Sequence, residues 1–242
     1  MEKSYISKIV DAAIQEDLLD IGDITSSCVL NNEEVCFSIN SREELMVCGL
    51  PIARHIFDKY IKKTECVFHK NDGDFIDSNV TLISGRARAA DLFSTERVIL
   101  NFLQHASGIA SITNKFVKTI EGTGVAIRDT RKTSPGLRIL EKYATNIGGA
   151  KSYRMGLYDK VMIKDNHIAS CGSISLAVQK IRDRFGENVE IMIECDTLEQ
   201  VDESVKQNAH TILLDNMNLE QINEAVNRIN KKQVLVKSFL DN

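Results

Sequence analysis

Apolar positions along the chain follow two different rhythms. In the first half, residues 3–19 place Ile6, Ile9, Val10, Ala13, Ile14 and Leu18 on one stripe, the period of an amphipathic helix. Short β-like runs follow around 34–40 and 44–48, and Pro51 is placed to open a helix over 51–60. TECVFHK and the NDGDFI turn read as strand and hairpin material, and NVTLISGRARA as a strand ended by Gly85. Residues 92–120 carry the longest helical pattern, from Phe93 and Val98 through Phe102, Leu103 and Ala106 to Phe116 and Val117. Ser107-Gly108 within it marks a bend, or a break between two helices.

From Gly124 the rhythm changes. VAIRD is a short β-branched run, PGLRILEKYATNI a helix opened by Pro135, and KVMIKD another strand. ISLAVQKIRDRFG is a helix stopped by Gly186, VEIMIEC a strand, LEQVDESVKQN a helix and TILLD a strand. NLEQINEAVNRIN is a helix and QVLVK a strand. Strands alternating with helices of 10–14 residues imply right-handed βαβ crossovers and a parallel sheet, whose strands run nearly continuously apolar as these do. The expected fold is α/β. An N-terminal α+β domain spans 1–115, and an α/β layer on a barrel plan spans 116–242.

Composition changes this picture little. A chain of 242 residues with 43% hydrophobic and 26% charged residues suits one large or two modest soluble domains. No apolar run approaches the roughly 20 residues of a membrane span, and the amphipathic start is unlike a signal peptide. The six cysteines form no CxxC pair and sit mostly in apolar segments, as reduced core thiols do, so a cytoplasmic location is expected. A pI near 5.8 with no basic arm argues against nucleic acid as the partner.

Charge, by contrast, is informative locally. Arg128–Ile168 holds nine Lys/Arg residues against four acids, with four of the thirteen glycines, in a chain of net charge -4. Cations beside turn-forming glycines suggest a site for a small polyanion. A solvated helix with basic faces accounts for Lys142, and for Arg138 and Lys151, but not for Arg131-Lys132 or Lys164, which follow apolar β-like runs.

Parallel α/β structures place their sites at the carboxyl ends of strands. Those ends give Asp129 with Arg131-Lys132, then Lys164-Asp165, Glu194 and Asp215. Two cationic strand ends and two acidic ones suit a substrate carrying carboxylates or phosphates, with Glu194 and Asp215 placed for Mg²⁺ or sugar hydroxyls. No GxGxxG after a strand, Walker loop, GxSxG or HExxH occurs, which removes support for four common enzyme classes. The amides of Gly148-Gly149 approach an anion or form a helix C-cap. His167 reads as a hydrogen-bonded loop histidine, with a catalytic base as the alternative. His55, His69, His105 and His210 show no constellation and read as structural or surface.

The runs DTRKTSPGLR, GGAKSYRMGLYDKVMIKDNH, IECDT and ILLDN resemble the quinolinate phosphoribosyltransferase family. So do ED…GDITS at 16–26 and TERVILNFLQHASGIAS at 95–111, so the resemblance covers nearly the whole chain. It implies an N-terminal α/β sandwich plus an incomplete parallel α/β barrel. It also implies that quinolinate and phosphoribosyl pyrophosphate become nicotinate mononucleotide, CO₂ and pyrophosphate with Mg²⁺. By the same resemblance, Arg131, Lys132, Arg154 and Lys164 line the quinolinate and diphosphate pocket. Arg97 comes from the partner subunit of a homodimer with shared sites, and Glu194 and Asp215 face the ribose and the metal, directly or through water. Lys132, Lys164, Glu194 and Asp215 are the catalytic candidates.

Two features depart from the family pattern. Ser152-Tyr153 stands where the family usually has Asn-His, and a tyrosine donates one hydrogen bond but carries no positive charge near neutral pH. SFLDN stands where a Ser-Gly-Gly turn and a further phosphate-binding loop are expected. Either the protein is truncated there or the sequence skips mobile phosphate loops. The second reading is favoured, because a half-open barrel would expose apolar strand edges. Three alternatives remain. They are a pyridine-carboxylate-binding pseudoenzyme, a related protein of molybdenum transport, and a Schiff-base aldolase using Lys164, which borohydride trapping would reveal.

Overall fold

The structure, a computed structural model, describes residues 1–230 and 235–238. It is mixed α/β and divides into two compact units, Met1–Met155 and Gly156–Asn242. Residue 115, the expected end of the first domain, lies inside a long helix.

The first unit is built around two small antiparallel sheets. One has the order β1-β5-β3 (β1 Glu34–Asn40, β3 Glu65–Phe68, β5 Thr81–Arg88), and the other pairs β2 (Leu45–Met46) with β4 (Phe75–Ile76). Gly85 does not end β5. It sits inside the strand, where an added Cβ would collide with the Glu65 carbonyl of β3, so only glycine permits the approach. Helix α1 (Lys3–Leu18) buries Ile6, Ile9, Val10 and Ile14, the stripe its sequence carries. Asp23 caps the short α2 (Ile24–Val29) by accepting from the Ser26 N–H at 3.0 Å.

Helix α3 (Leu50–Tyr60) has Pro51 in its first turn and buries Ile52, Ala53, Ile56 and Phe57. Phe57 stacks on Phe37 at 5.4 Å between centroids, joining α3 to the β1 sheet. Helix α4 (Ala89–Thr119) runs unbroken through Ser107-Gly108. Ser107 is an anchor, because its hydroxyl accepts from the Cys48 N–H at 3.0 Å and donates to the Cys48 carbonyl at 3.1 Å.

The run VAIRD forms no strand. Among the described residues it makes a single parallel bridge, Arg128 with Lys151, and Val125 stands exposed. Nor does Pro135 open the next helix. Pro135-Gly136 occupy the centre of a turn closed by Leu137 N–H to the Ser134 carbonyl at 3.1 Å, with Gly136 at φ +81°, the type II pattern. Helix α5 (Arg138–Ile147) starts only after it.

The second unit is a four-stranded parallel sheet in the order β6-β7-β8-β9 (Val161–Ile163, Ile191–Cys195, Thr211–Leu214, Leu235–Ser238). Helices α6 (Asp165–Cys171), α7 (Ile174–Phe185), α8 (Leu198–Lys206) and α9 (Leu219–Asn230) alternate with the strands. Alternate residues Ile163, Ile191, Ile193, Cys195, Ile212 and Leu214 pack with Ile174, Val178, Val201 and Ala225 into one apolar cluster. Met192 and Leu213 are also buried, on the sheet's other face, so the strands are covered on both sides as their apolar runs require. Of QVLVK, the residues from Leu235 on form β9; Gln233, Val234 and the end of SFLDN lie outside the described residues.

Candidate active site

Five of the expected site residues, Arg97, Arg131, Lys132, Tyr153 and Arg154, belong to the first unit, and Lys164, Glu194 and Asp215 to the second.

In the second unit the parallel register does the positioning. Ile163 pairs with Ile193, so the next residues, Lys164 and Glu194, lie side by side on one face at the carboxyl edge. Lys164 Nζ donates to Glu194 Oε2 at 2.6 Å, with the lysine 40% and the glutamate 12% exposed. Glu194 pairs in turn with Leu213, and Asp215 lies two residues beyond Leu213. The period-2 alternation of a strand therefore carries Asp215 toward the same face, one layer further along. Its backbone N–H donates to the Cys195 carbonyl at 3.0 Å, and its Oδ1 accepts from the Asn216 N–H at 3.1 Å. The structure thus brings a cation and two carboxylates to one sheet edge.

The motif KDNH is helical, not a loop. His167 is in the first turn of α6, and its Nδ1 accepts from the Lys164 N–H at 3.0 Å. That bond fixes the backbone carrying Lys164, so the hydrogen-bonded reading of His167 holds.

In the first unit the cationic loop is organised by a group the sequence hid. Lys142 is not on a solvated face: its Nζ donates to Asp129 Oδ1, both side chains being 3% exposed. The Tyr153 N–H donates to the same oxygen at 2.7 Å, and Ser152 Oγ donates to Oδ2 at 3.0 Å. These bonds tie segment 128–132, which carries Arg131 and Lys132, to segment 151–154, which ends at the buried Arg154. Arg131 Nε is itself buried with no hydrogen-bond partner among the described residues. An unsatisfied guanidinium N–H is costly, and an anionic ligand would satisfy it.

The Gly148-Gly149 amides are not an anion site. They donate to the Ala144 and Asn146 carbonyls at 3.0 Å, closing α5. Gly148 instead lets α5 approach α4, because a Cβ there would meet the Ala110 carbonyl and Thr113 at 2.6 Å.

Arg97 is exposed on α4 and lines a cleft of about 1370 Å³ between that helix and β1. Neither Arg131, Lys132, Tyr153 nor Arg154 lines it. The apolar side chains Phe93 and Ile112, 47% and 54% exposed, share this cleft.

Of the cysteines, Cys48 and Cys195 are buried, Cys28 and Cys36 are exposed, and all six are unpaired. Burial pushes the Cys195 thiol up to about 11, against the Ser204 hydroxyl hydrogen bond. No helix among the described residues is long and apolar enough to cross a membrane.

The families described as "Quinolinate phosphoribosyl transferase, N-terminal domain" and "Quinolinate phosphoribosyl transferase, C-terminal domain" match residues 23–107 and 109–239. A crystal structure of nicotinate-nucleotide pyrophosphorylase from Ehrlichia chaffeensis is 52% identical with a TM-score of 0.94, covering 100% of this chain and 87% of that one. The probable carboxylating nicotinate-nucleotide pyrophosphorylase of Bacillus subtilis is 38% identical over 89% of this chain and 74% of its own length. Its Mycobacterium leprae counterpart is 37% identical over 93% and 81%.

Proposed function

We infer the function from one premise: the chain belongs to the quinolinate phosphoribosyltransferase family. It is a phosphoribosyltransferase of NAD biosynthesis, converting quinolinate and phosphoribosyl pyrophosphate into nicotinate mononucleotide, pyrophosphate and CO₂. The observation that carries this is the match of both family domains, in order, across nearly the whole chain.

The chemistry asks for cations first. Quinolinate brings two carboxylates and its co-substrate a diphosphate and a phosphate, so like charges must be held together before reaction. We assign Arg131, Lys132 and Arg154 to that task, supported by the unsatisfied Arg131 Nε. As the ring nitrogen attacks the anomeric carbon and pyrophosphate departs, the sugar gains oxocarbenium character. Glu194 and Asp215, on one sheet edge, are assigned to the ribose, where carboxylates stabilise that developing positive charge. Lys164 holds Glu194 in place and stabilises the departing diphosphate. The positively charged ring nitrogen then stabilises the electron pair left on the adjacent ring carbon as its carboxylate leaves as CO₂, and that carbon takes a proton from water, so no organic cofactor is needed.

Glu194 and Asp215 are also the residues proposed to hold Mg²⁺. They fit: both offer hard oxygen donors, and no group of three or more His, Cys, Asp or Glu side chains gathers among the described residues to form an all-protein cage. Mg²⁺ commonly uses one or two carboxylates and keeps waters and substrate oxygens, and when bound it supplies charge neutralisation to the diphosphate.

We further propose a homodimer with shared sites. It is supported by Arg97 facing a cleft edged by exposed Phe93 and Ile112, which Arg131, Lys132 and Arg154 of its own unit do not line. Six unpaired thiols suit a reducing compartment, and the proposed location is the cytoplasm.

The direct test incubates the protein with quinolinate, phosphoribosyl pyrophosphate and Mg²⁺ and measures nicotinate mononucleotide by mass and pyrophosphate release. Product of the expected mass is the predicted result. Quinolinate binding without pyrophosphate release would overturn the assignment in favour of a pseudoenzyme.

A further inference from the structure

We propose that Asp129, braced by Lys142 and Ser152, is a positioning residue that sets the distance between the two arms receiving the dicarboxylate substrate. The proposal rests on the function assigned above and deepens it at the cationic loop.

One carboxylate gathers three donors from two places. Oδ1 accepts from Lys142 Nζ on α5 and from the Tyr153 N–H at 2.7 Å. Oδ2 accepts from Ser152 Oγ at 3.0 Å, and that hydroxyl in turn accepts from Asn146 Nδ2 at 2.9 Å. Without these bonds the two segments would be joined at this point by one bridge, through Lys151 N–H to the Ile127 carbonyl and Asp129 N–H to the Lys151 carbonyl. A single bridge leaves the chain on either side free to twist. Arg131 lies two residues beyond Asp129, and Arg154 one residue beyond Tyr153. Any rotation at the bridge therefore changes the spacing of these two guanidinium groups directly.

The composition of the brace supports this purpose over simple stability. Asp129 and Lys142 are each 3% exposed, and a buried ion pair is commonly no more stabilising than an apolar pair of equal volume. An apolar pair would fill the space but could not orient the Tyr153 N–H or the Ser152 hydroxyl. Lys142 itself stands on a rigid base, since α5 is seated against α4 through the close approach at Gly148.

The test uses two variants and their conservative rescue. Ser152→Ala removes one donor without stranding a charge, and Ser152→Thr restores it. The double variant Asp129→Asn with Lys142→Met removes both buried charges together, avoiding the unfolding expected when one partner is left alone. Melting temperature, Michaelis constants for both substrates, and hydrogen–deuterium exchange over 128–132 and 151–155 are measured on each. Ser152→Ala is expected to melt within a few degrees of wild type and to raise the quinolinate KM roughly three- to tenfold. Its KM for phosphoribosyl pyrophosphate should stay unchanged, and Ser152→Thr should return to wild-type values. The double variant should remain folded, exchange faster in both segments, and lose about tenfold or more in kcat/KM for quinolinate. A folded double variant with wild-type exchange and wild-type constants overturns the proposal. So does a Ser152→Ala variant whose two KM values rise together. A wild-type protein that forms no nicotinate mononucleotide overturns the functional assignment, and this proposal with it, before any variant is compared.

Discussion

At the scale of single residues, charge placement decides what each substitution should do. Lys164 is paired with Glu194, so Lys164→Ala removes a cation and also frees a partly buried carboxylate. Lys132→Ala removes a cation from an exposed loop position. Each is expected to cost about 2–4 kcal/mol of transition-state stabilisation, read as a fall in kcat/KM. Near-normal turnover in both variants would remove the site assignment. Tyr153 is a cleaner case because its two functions separate: the backbone N–H serves Asp129, and only the side chain is changed by Tyr153→Phe. If the hydroxyl donates to quinolinate, as the family histidine would, its loss should cost about 1 kcal/mol and raise the quinolinate KM several-fold. The KM for phosphoribosyl pyrophosphate should stay nearly constant. Wild-type behaviour toward both substrates would mean that the hydroxyl touches neither.

At the scale of elements, glycines in similar company should respond with opposite signs. Gly148 ends α5 against α4, and a Cβ there meets the Ala110 carbonyl and Thr113, backbone and a branched side chain that have little room to yield. Gly148→Ala should therefore destabilise by about 1–3 kcal/mol in thermal or denaturant unfolding. Gly108, inside α4, has nothing within 4 Å of its added Cβ, so Gly108→Ala should be neutral or stabilising by up to about 1 kcal/mol. A destabilised Gly108→Ala would mean that another chain covers that face of α4. The same elements mark what the sequence could convey. The strands of the second unit and its helices α7, α8 and α9 were legible because each strand is a short apolar run and each of these helices an amphipathic stripe, both local signals. The seven-residue α6 is too short to show one. Lys142 was not legible, because on α5 it lies about 200° around the helix from buried Leu140, on the side the pattern marks as polar. Its burial comes from segments 128–129 and 151–153, which no periodicity records. Ser107-Gly108 misled for a similar reason: their bland local reading is a break, and the bond from Ser107 to Cys48 spans 59 residues. VAIRD has strand composition yet only one bridging partner, since β-propensity describes fit to a sheet that here is not built around it.

At the scale of the whole molecule, the residues expected at the site belong to two units, and Arg97 raises the further question of which chain it serves. It is exposed on α4, 31 residues long, facing a cleft lined by β1 and by Phe93 and Ile112, a cleft that Arg131, Lys132 and Arg154 do not line. The DTRKT loop and the Lys164 edge were legible as chemistry because charge follows apolar runs there. Arg97 was not, since a lone arginine on a helix reads as surface, and only the family resemblance drew attention to it. If Arg97 completes the site of a second copy, two inactive variants should rescue each other. Arg97→Ala supplies an intact sheet edge but no arginine, and Lys164→Ala supplies the arginine but a broken edge. With random exchange of subunits in an equal mixture, half of the protein becomes mixed dimers, each holding one intact site and one doubly defective site, so about a quarter of wild-type activity should return. Subunit exchange is followed independently, by native mass spectrometry of differently tagged chains. If mixed dimers form and activity stays at the level of the separate variants, Arg97 acts within its own chain and the shared site is wrong. If no dimer forms at any concentration while the wild type turns over, the cleft on α4 serves another purpose and the site is complete in one subunit.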